Sequence, residues 1–170
     1  MKYTSAEAAK LLRRLNEEQA AIKDKESKSC TFIVALEEDV ESVRPTYQYT
    51  QVQEQLDLLE TQVRKVKHAI NTFNLTTVVP GFDMTVDQML VYIPQLNERK
   101  NKLNRMAGRL PKERVSSARY GTKTIVEYEY ANYDTQQAEA DFAIVANELA
   151  RAQTALDVVN NSVTMEIELD

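Results

Sequence analysis

Arg109, Lys112, Arg114 and Arg119, with Ser116, Ser117 and Tyr120 among them, form the stretch of this chain whose residue types best suit a defined chemistry. Cationic side chains interleaved with hydroxyls bind phosphate and other oxyanions through charge-assisted hydrogen bonds. Residues 98–123 hold nine basic residues against Glu98 and Glu113, a local sum of +7. Residues 127–170 hold ten acidic residues against Arg151, a sum of −9. Internal pairing of the two segments is the simpler consequence. An anion site over residues 105–123, for nucleic acid or lipid headgroups, is the sharper one. Only Tyr120 is aromatic there, so a base-stacking platform is poorly supported and nucleic acid is the weaker partner.

Other reactive side chains are few and isolated. His68 is the single histidine, and its position outside the apolar stripe formed by Val66 and Ile70 predicts a solvent-facing ring. A metal site recruits several His or Cys ligands, and an E-x-x-H pair is absent because Lys65 stands three residues before His68. Cys30 has no activating base nearby in sequence and reads as a small, half-buried filler. Carboxylate clusters such as Glu17-Glu18 and Glu37-Glu38-Asp39 are ordinary on a charged helical protein. With three glycines in the chain, a Gly-rich phosphate loop is not available, and no nucleophile-elbow motif occurs. These residues call for no cofactor, no metal and no catalytic group, and the chain is expected not to be an enzyme.

The elements that would position the basic stretch are long helices. Tyr49, Val52, Leu56, Leu59, Val63, Val66, Ile70 and Phe73 recur in steps of three and four without interruption. Such a seam predicts a helix over about 46–74 packed lengthwise against others. Ala138, Phe142, Val145, Leu149, Ala152, Leu156 and Val159 repeat the rhythm in a last helix, begun by Asp134 with Gln137 completing its box. Thr4 with Glu7, and Thr85 with Gln88, have the spacing of capping boxes for helices over about 6–25 and from 85 to Gly108. Pro94 lies inside the latter and predicts a kink. Asn97, Asn101 and Asn104 fall beside its seam and predict a buried polar layer that fixes register. Asn71 and Asn74 are expected to serve the helix end before the Pro80-Gly81 loop.

Short strands are expected over 31–36, 76–79, 122–130 and 163–169, with a loop over 111–121. The fold expected is mainly α: a single domain, 1–170, forming an antiparallel, coiled-coil-like four-helix bundle with β-strands at its ends. Following the chain up and down places the strands after the first and third long helices at one end. Tyr47, Tyr49, Tyr128, Tyr130 and Tyr133 would cap that end. The C-terminal strand falls at the other, beside 76–79, free to pair within the chain or with a second subunit.

The element order resembles the septicolysin-like family of small bacterial helical proteins. The likeness spans most of the chain. It rests on Ile70-Asn71 with Asn74, on the Thr85-led helix with its basic second half, on Arg119-Tyr120 before a strand, and on a Leu/Ala-rich last helix running into Asn160. It implies the fold and carries no agreed activity or catalytic residue; the family name suggests membrane perturbation.

The longest apolar run, Phe32 to Leu36, is far below the roughly 20 residues of a membrane span. A lone cysteine forms no internal disulfide, and no apolar leader follows Lys2, so a reducing cytoplasm is the expected setting. The function expected is that of a structural or interaction protein forming a homo-oligomer, with a further protein partner as an option. The assembly seam would comprise Val52, Leu56, Leu59, Val63, Val66, Ile70, Phe142, Val145, Leu149 and Leu156. The alternatives are membrane perturbation, or anion or RNA binding through Arg109, Lys112, Arg114, Arg119 and Tyr120.

Overall fold

Capping chemistry sets where the helices begin. Thr4 is extended, its hydroxyl accepts from the Glu7 amide at 3.2 Å, and the Glu7 carboxylate accepts from the Thr4 amide at 2.8 Å. This reciprocal pair starts a 25-residue helix, and Thr85 with Gln88 does the same for a 22-residue one. In this computed structural model, which describes residues 1–115 and 126–169, the chain is mainly helical with short antiparallel strands. In order they are β1 (Lys2–Thr4), α1 (Ser5–Ser29), α2 (Val40–Val43), α3 (Tyr49–Thr76), β2 (Val78–Val79), β3 (Met84–Thr85), α4 (Val86–Ala107), β4 (Lys112–Arg114), β5 (Tyr128–Tyr130), α5 (Thr135–Ser162) and β6 (Thr164–Glu166). The chain divides into two compact units, Met1–Thr77 with Val158–Asp170, and Val78–Asp157.

In the first unit α1 lies along α3. Gln19 and Lys23 reach Glu60, while Glu26 meets Gln53 and Tyr47, so partners descend α3 as α1 ascends and the pair is antiparallel. The seam is where its rhythm placed it. Leu56, Leu59, Val66 and Phe73 are buried; Val52, Val63 and Ile70 are half-buried; Tyr49, at the helix start, is exposed. Ala8, Leu11 and Leu15 are the buried residues of α1. The C-terminal strand finds its partner inside the chain: β6 runs antiparallel to β1, with Tyr3 opposite Met165. Met1 extends the ladder, its ammonium donating to the Ile167 carbonyl at 3.0 Å and its carbonyl accepting from the Ile167 amide at 2.9 Å. Residues 163–166 line a groove with the end of α3, but the strand pairs with β1 and not with 76–79, whose residues Val78 and Val79 pair with β3.

In the second unit Pro80 and Gly81 turn β2 back into β3. Gly81 has φ +81°, and the Phe82 amide donates to the Val79 carbonyl at 3.3 Å, the signature of a type II turn. Phe82 packs against Tyr92 of α4 with ring centroids 6.5 Å apart, and Arg151 of α5 lies over the Phe82 ring at 5.6 Å. Helix α4 passes through Pro94, which is exposed, as is Leu90, whose carbonyl loses its amide partner there. Asp134 caps α5, accepting from the Gln136 and Gln137 amides; the Gln137 side chain turns to Asp141 instead of back to the cap. Ala138, Val145, Leu149, Ala152 and Leu156 are the buried residues of α5 in this unit, with Phe142 half-buried; Val159, buried as well, belongs to the first unit.

Several expectations fail for identifiable reasons. Residues 31–36 form no strand: among the described residues no backbone group of Thr31 to Val34 bonds another backbone group, because no second strand lies beside them. Asn97, Asn101 and Asn104 are exposed, so they form no buried polar layer; their stripe faces water, and the apolar positions around Leu96 do the packing. The loop expected over 111–121 begins with β4, which pairs with β5. The rest of that loop and the start of the 122–130 strand lie outside the described residues.

Candidate functional site

The β4–β5 hairpin gathers residues that look unrelated in sequence. Its antiparallel register sets Lys112 opposite Tyr130, Glu113 opposite Glu129 and Arg114 opposite Tyr128. Because strand side chains alternate, Lys112, Arg114, Tyr128 and Tyr130 share one face, while Glu113 and Glu129 share the other. On the first face the Lys112 ammonium stands 4.3 Å from the Tyr128 ring centroid and 5.4 Å from that of Tyr130. Tyr128 is 48% exposed and Tyr130 63%. On the second face two carboxylates are directly opposed, an unfavourable arrangement relieved by Arg109, whose guanidinium donates to Glu129 at 2.9 Å. This is one internal pairing between the basic and acidic segments. The Tyr133 hydroxyl donates to the Met106 carbonyl at 2.9 Å and ties the strand exit to the end of α4.

Of the five candidate anion-binding residues, Arg109 is therefore engaged by a carboxylate and Lys112 by two aromatic rings. Arg114 is exposed at the end of β4. Arg119 and Tyr120 lie outside the described residues. The sequence argument missed Tyr128 and Tyr130 as companions of the basic residues because it counted aromatics only within 105–123. The signal was present as a Lys-x-Arg and a Tyr-x-Tyr pattern, each of period two, though the long stretch between them hides their pairing.

A second locus lies between α1 and the start of α3. The Glu26 carboxylate accepts from the Tyr47 hydroxyl at 2.7 Å and from the Gln53 side-chain amide at 2.8 Å through the same oxygen. Beside it is a cleft of about 300 Å³ lined by Lys25, Ser29, Thr46, Gln48, Gln51 and Gln55, among others. The hydrogen bond to Glu26 holds the Tyr47 phenol in its neutral form and pushes its pKa up to about 12. The cleft is suited to hydrogen bonding a polar group, and the Tyr47 phenol beside it is a weakened acid. Tyr47 thus serves as a strut between the two helices.

The third locus is apolar. Ile33 and Leu36 are 97% and 104% exposed, and Val40 and Val43 are also exposed. Burial alternates along this segment: Phe32 and Val34 are half-buried, Ile33 and Ala35 exposed. Arg44 lies 5.5 Å from the Phe32 ring and holds that side inward. His68 is exposed on α3, as its position relative to the seam predicts. Cys30 is a free, exposed thiol, not the half-buried filler expected. Among the described residues no group of three or more His, Cys, Asp or Glu could hold a metal ion, and no helix is long and apolar enough to cross a membrane.

No protein-family model matches this chain, and no curated protein matches it. Its fold is similar to a solved structure described as that of a functionally unknown conserved protein from Corynebacterium diphtheriae. The TM-score is 0.57 over 98% of this chain and 100% of that chain, at 17% identity. A likeness at that identity concerns the fold alone.

Proposed function

We propose that the chain is a structural and interaction protein, a coiled-coil-like helical bundle without catalytic activity of its own, that assembles into a homo-oligomer in the cytoplasm. The carrying observation is the apolar segment 31–43, which leaves Ile33 and Leu36 wholly exposed. Apolar side chains clustered on a charged surface mark interaction sites. Among the described residues the backbone of 31–34 makes no backbone hydrogen bond, which leaves donors and acceptors for strand pairing.

A second copy is the partner proposed: two such segments laid antiparallel about a two-fold axis bring Ile33 and Leu36 of one copy onto those of the other. Burying Ile33 and Leu36 of both copies gains roughly 6–12 kcal/mol at about 1.5–3 kcal/mol per side chain. Association costs about 4–15 kcal/mol, so the expected dimer dissociates on dilution. The seam residues of α3 and α5 are already largely covered in the single chain and stabilise the subunit first. Kinship with the septicolysin-like family remains part of this proposal and supplies no activity to it.

The test is molar mass by light scattering during gel filtration, over a range of concentrations and at low and high salt. The wild type should grow in mass with concentration, and an Ile33→Glu/Leu36→Glu variant of unchanged helicity should stay monomeric. A wild type monomeric at every concentration reached, or a double variant of unchanged mass, refutes the proposal.

A further inference from the structure

The geometry points to a second, independent site: the face of the β4–β5 hairpin formed by Lys112, Arg114, Tyr128 and Tyr130 binds single-stranded nucleic acid. Tyrosines alone would suit a protein interface, and cations alone any anion. Two rings beside two cations on one face of a two-stranded ladder meet a ligand that alternates flat bases with phosphates. Tyr128 and Tyr130 are two residues apart on one strand, a repeat of about 6.8 Å, so each ring can take its own base of a single strand. Bases in a duplex are already stacked and cannot use these rings.

The hairpin also solves a charge problem. The chain carries a net −5, which by itself repels polyanions. Here the like charges are sorted: Glu113 and Glu129 project from the opposite face, where Arg109 partly neutralises them. The Lys112 ammonium stands over the Tyr128 ring at 4.3 Å from its centroid; a base that takes that face displaces the ammonium, which then meets the phosphate beside it.

Fluorescence anisotropy of labelled oligouridylate and oligothymidylate with the full chain, at low salt, tests the site. Two neutralised phosphates give a slope of log affinity against log salt near −1.4, at about −0.7 per contact for single strands. Tyr128→Ala or Tyr130→Ala should each weaken binding by about 5- to 150-fold, from the stacking of one base. Tyr128→Phe/Tyr130→Phe should bind as the wild type does, because the ring and not the hydroxyl carries the contact. Arg114→Ala should make the salt slope shallower by about 0.7. These surface variants should melt with the wild type.

The inference is overturned by no binding to either oligonucleotide, or by alanine variants that bind unchanged. It is equally overturned if Lys112→Ala and Arg114→Ala abolish binding while both tyrosine-to-alanine variants keep it, which would make this a simple anion site. Binding of anionic phosphatidylserine vesicles, with none of oligonucleotides, also overturns it. Because Ile33 and Leu36 lie in another segment, the Ile33→Glu/Leu36→Glu variant should retain nucleic-acid binding, so this site and the self-assembly proposal fail or stand separately.

Discussion

Leu58 and Leu59 are neighbours of identical chemistry on α3, and the seam assigns them opposite roles. Leu59 is 6% exposed and Leu58 53%. Replacing Leu59 by Ala removes three buried carbons, worth roughly 2.4 kcal/mol at about 0.8 kcal/mol each. The side chain lies on the buried face of α3, the helix that pairs with α1, where the surrounding packing relaxes only in part. A cavity term brings the expected loss to about 2.5–4 kcal/mol. The same change at Leu58 should fall within about 0.5 kcal/mol of zero. Urea unfolding followed by helical circular dichroism measures both, with the slope of each curve checked for two-state behaviour, since the two units of the chain can unfold separately. By melting, Leu59→Ala should lose about 5–15 °C at roughly 2–4 °C per kcal/mol. Equal losses at the two positions, or a loss at Leu59 below about 1 kcal/mol, would refute the seam as the basis of the α1–α3 pair.

Two further outcomes follow from local geometry. The Tyr47 phenol, raised from 10.0 to about 12 by its bond to Glu26, contributes stability that is complete below about pH 10 and lost as the pH climbs toward about 12. Tyrosinate absorbance compared between wild type and Tyr47→Phe should isolate one late-titrating group, and Glu26→Gln should move its midpoint down; a midpoint unmoved by that change would deny the bond its role. At Gly81 an added Cβ meets nothing within 4 Å, yet φ is +81°. Gly81→Ala should therefore cost about 1 kcal/mol from backbone conformation alone, read as a melting point lower by about 2–4 °C. A stabilised variant would show that the turn does not need the left-handed conformation.

Long periodic signals were the legible part of this sequence. A heptad rhythm sustained over eight apolar positions, 49 to 73, leaves few alternatives, and the capping boxes at Thr4 and Thr85 fixed helix starts because their reciprocal bonds need a single spacing. What stayed hidden was pairing between distant short segments. β1 and β6 are each three residues long, and nothing in Lys2–Thr4 announces that Thr164–Glu166 will lie beside it. The hairpin face was hidden for the same reason. Its cations and its rings are each visible, but only the register of Lys112 with Tyr130 makes them one surface. The Asn97, Asn101 and Asn104 stripe misled because helical spacing reports a shared face without saying whether another element covers it.

Residues 31–36 show how a sequence signal can be sound while the element it predicts is missing. The segment is β-branched and aromatic, its burial alternates with period two, and Phe32 is fixed inward by Arg44. Each of those is a property of a strand. A strand is nevertheless defined by a neighbour, and the described strands use one another: β1 with β6, β2 with β3, β4 with β5. The Ala35 amide is taken by the Glu38 carboxylate at 3.2 Å, which closes the segment with a turn and leaves the donors and acceptors of 31–34 to be met by water or by another chain. Water satisfies the backbone but not Ile33 and Leu36. The self-pairing proposed above would satisfy both. The misplaced strand of the sequence reading is thereby the reason to test for assembly: the propensity is written in the residues, and among the described residues the fold supplies no strand to pair with it.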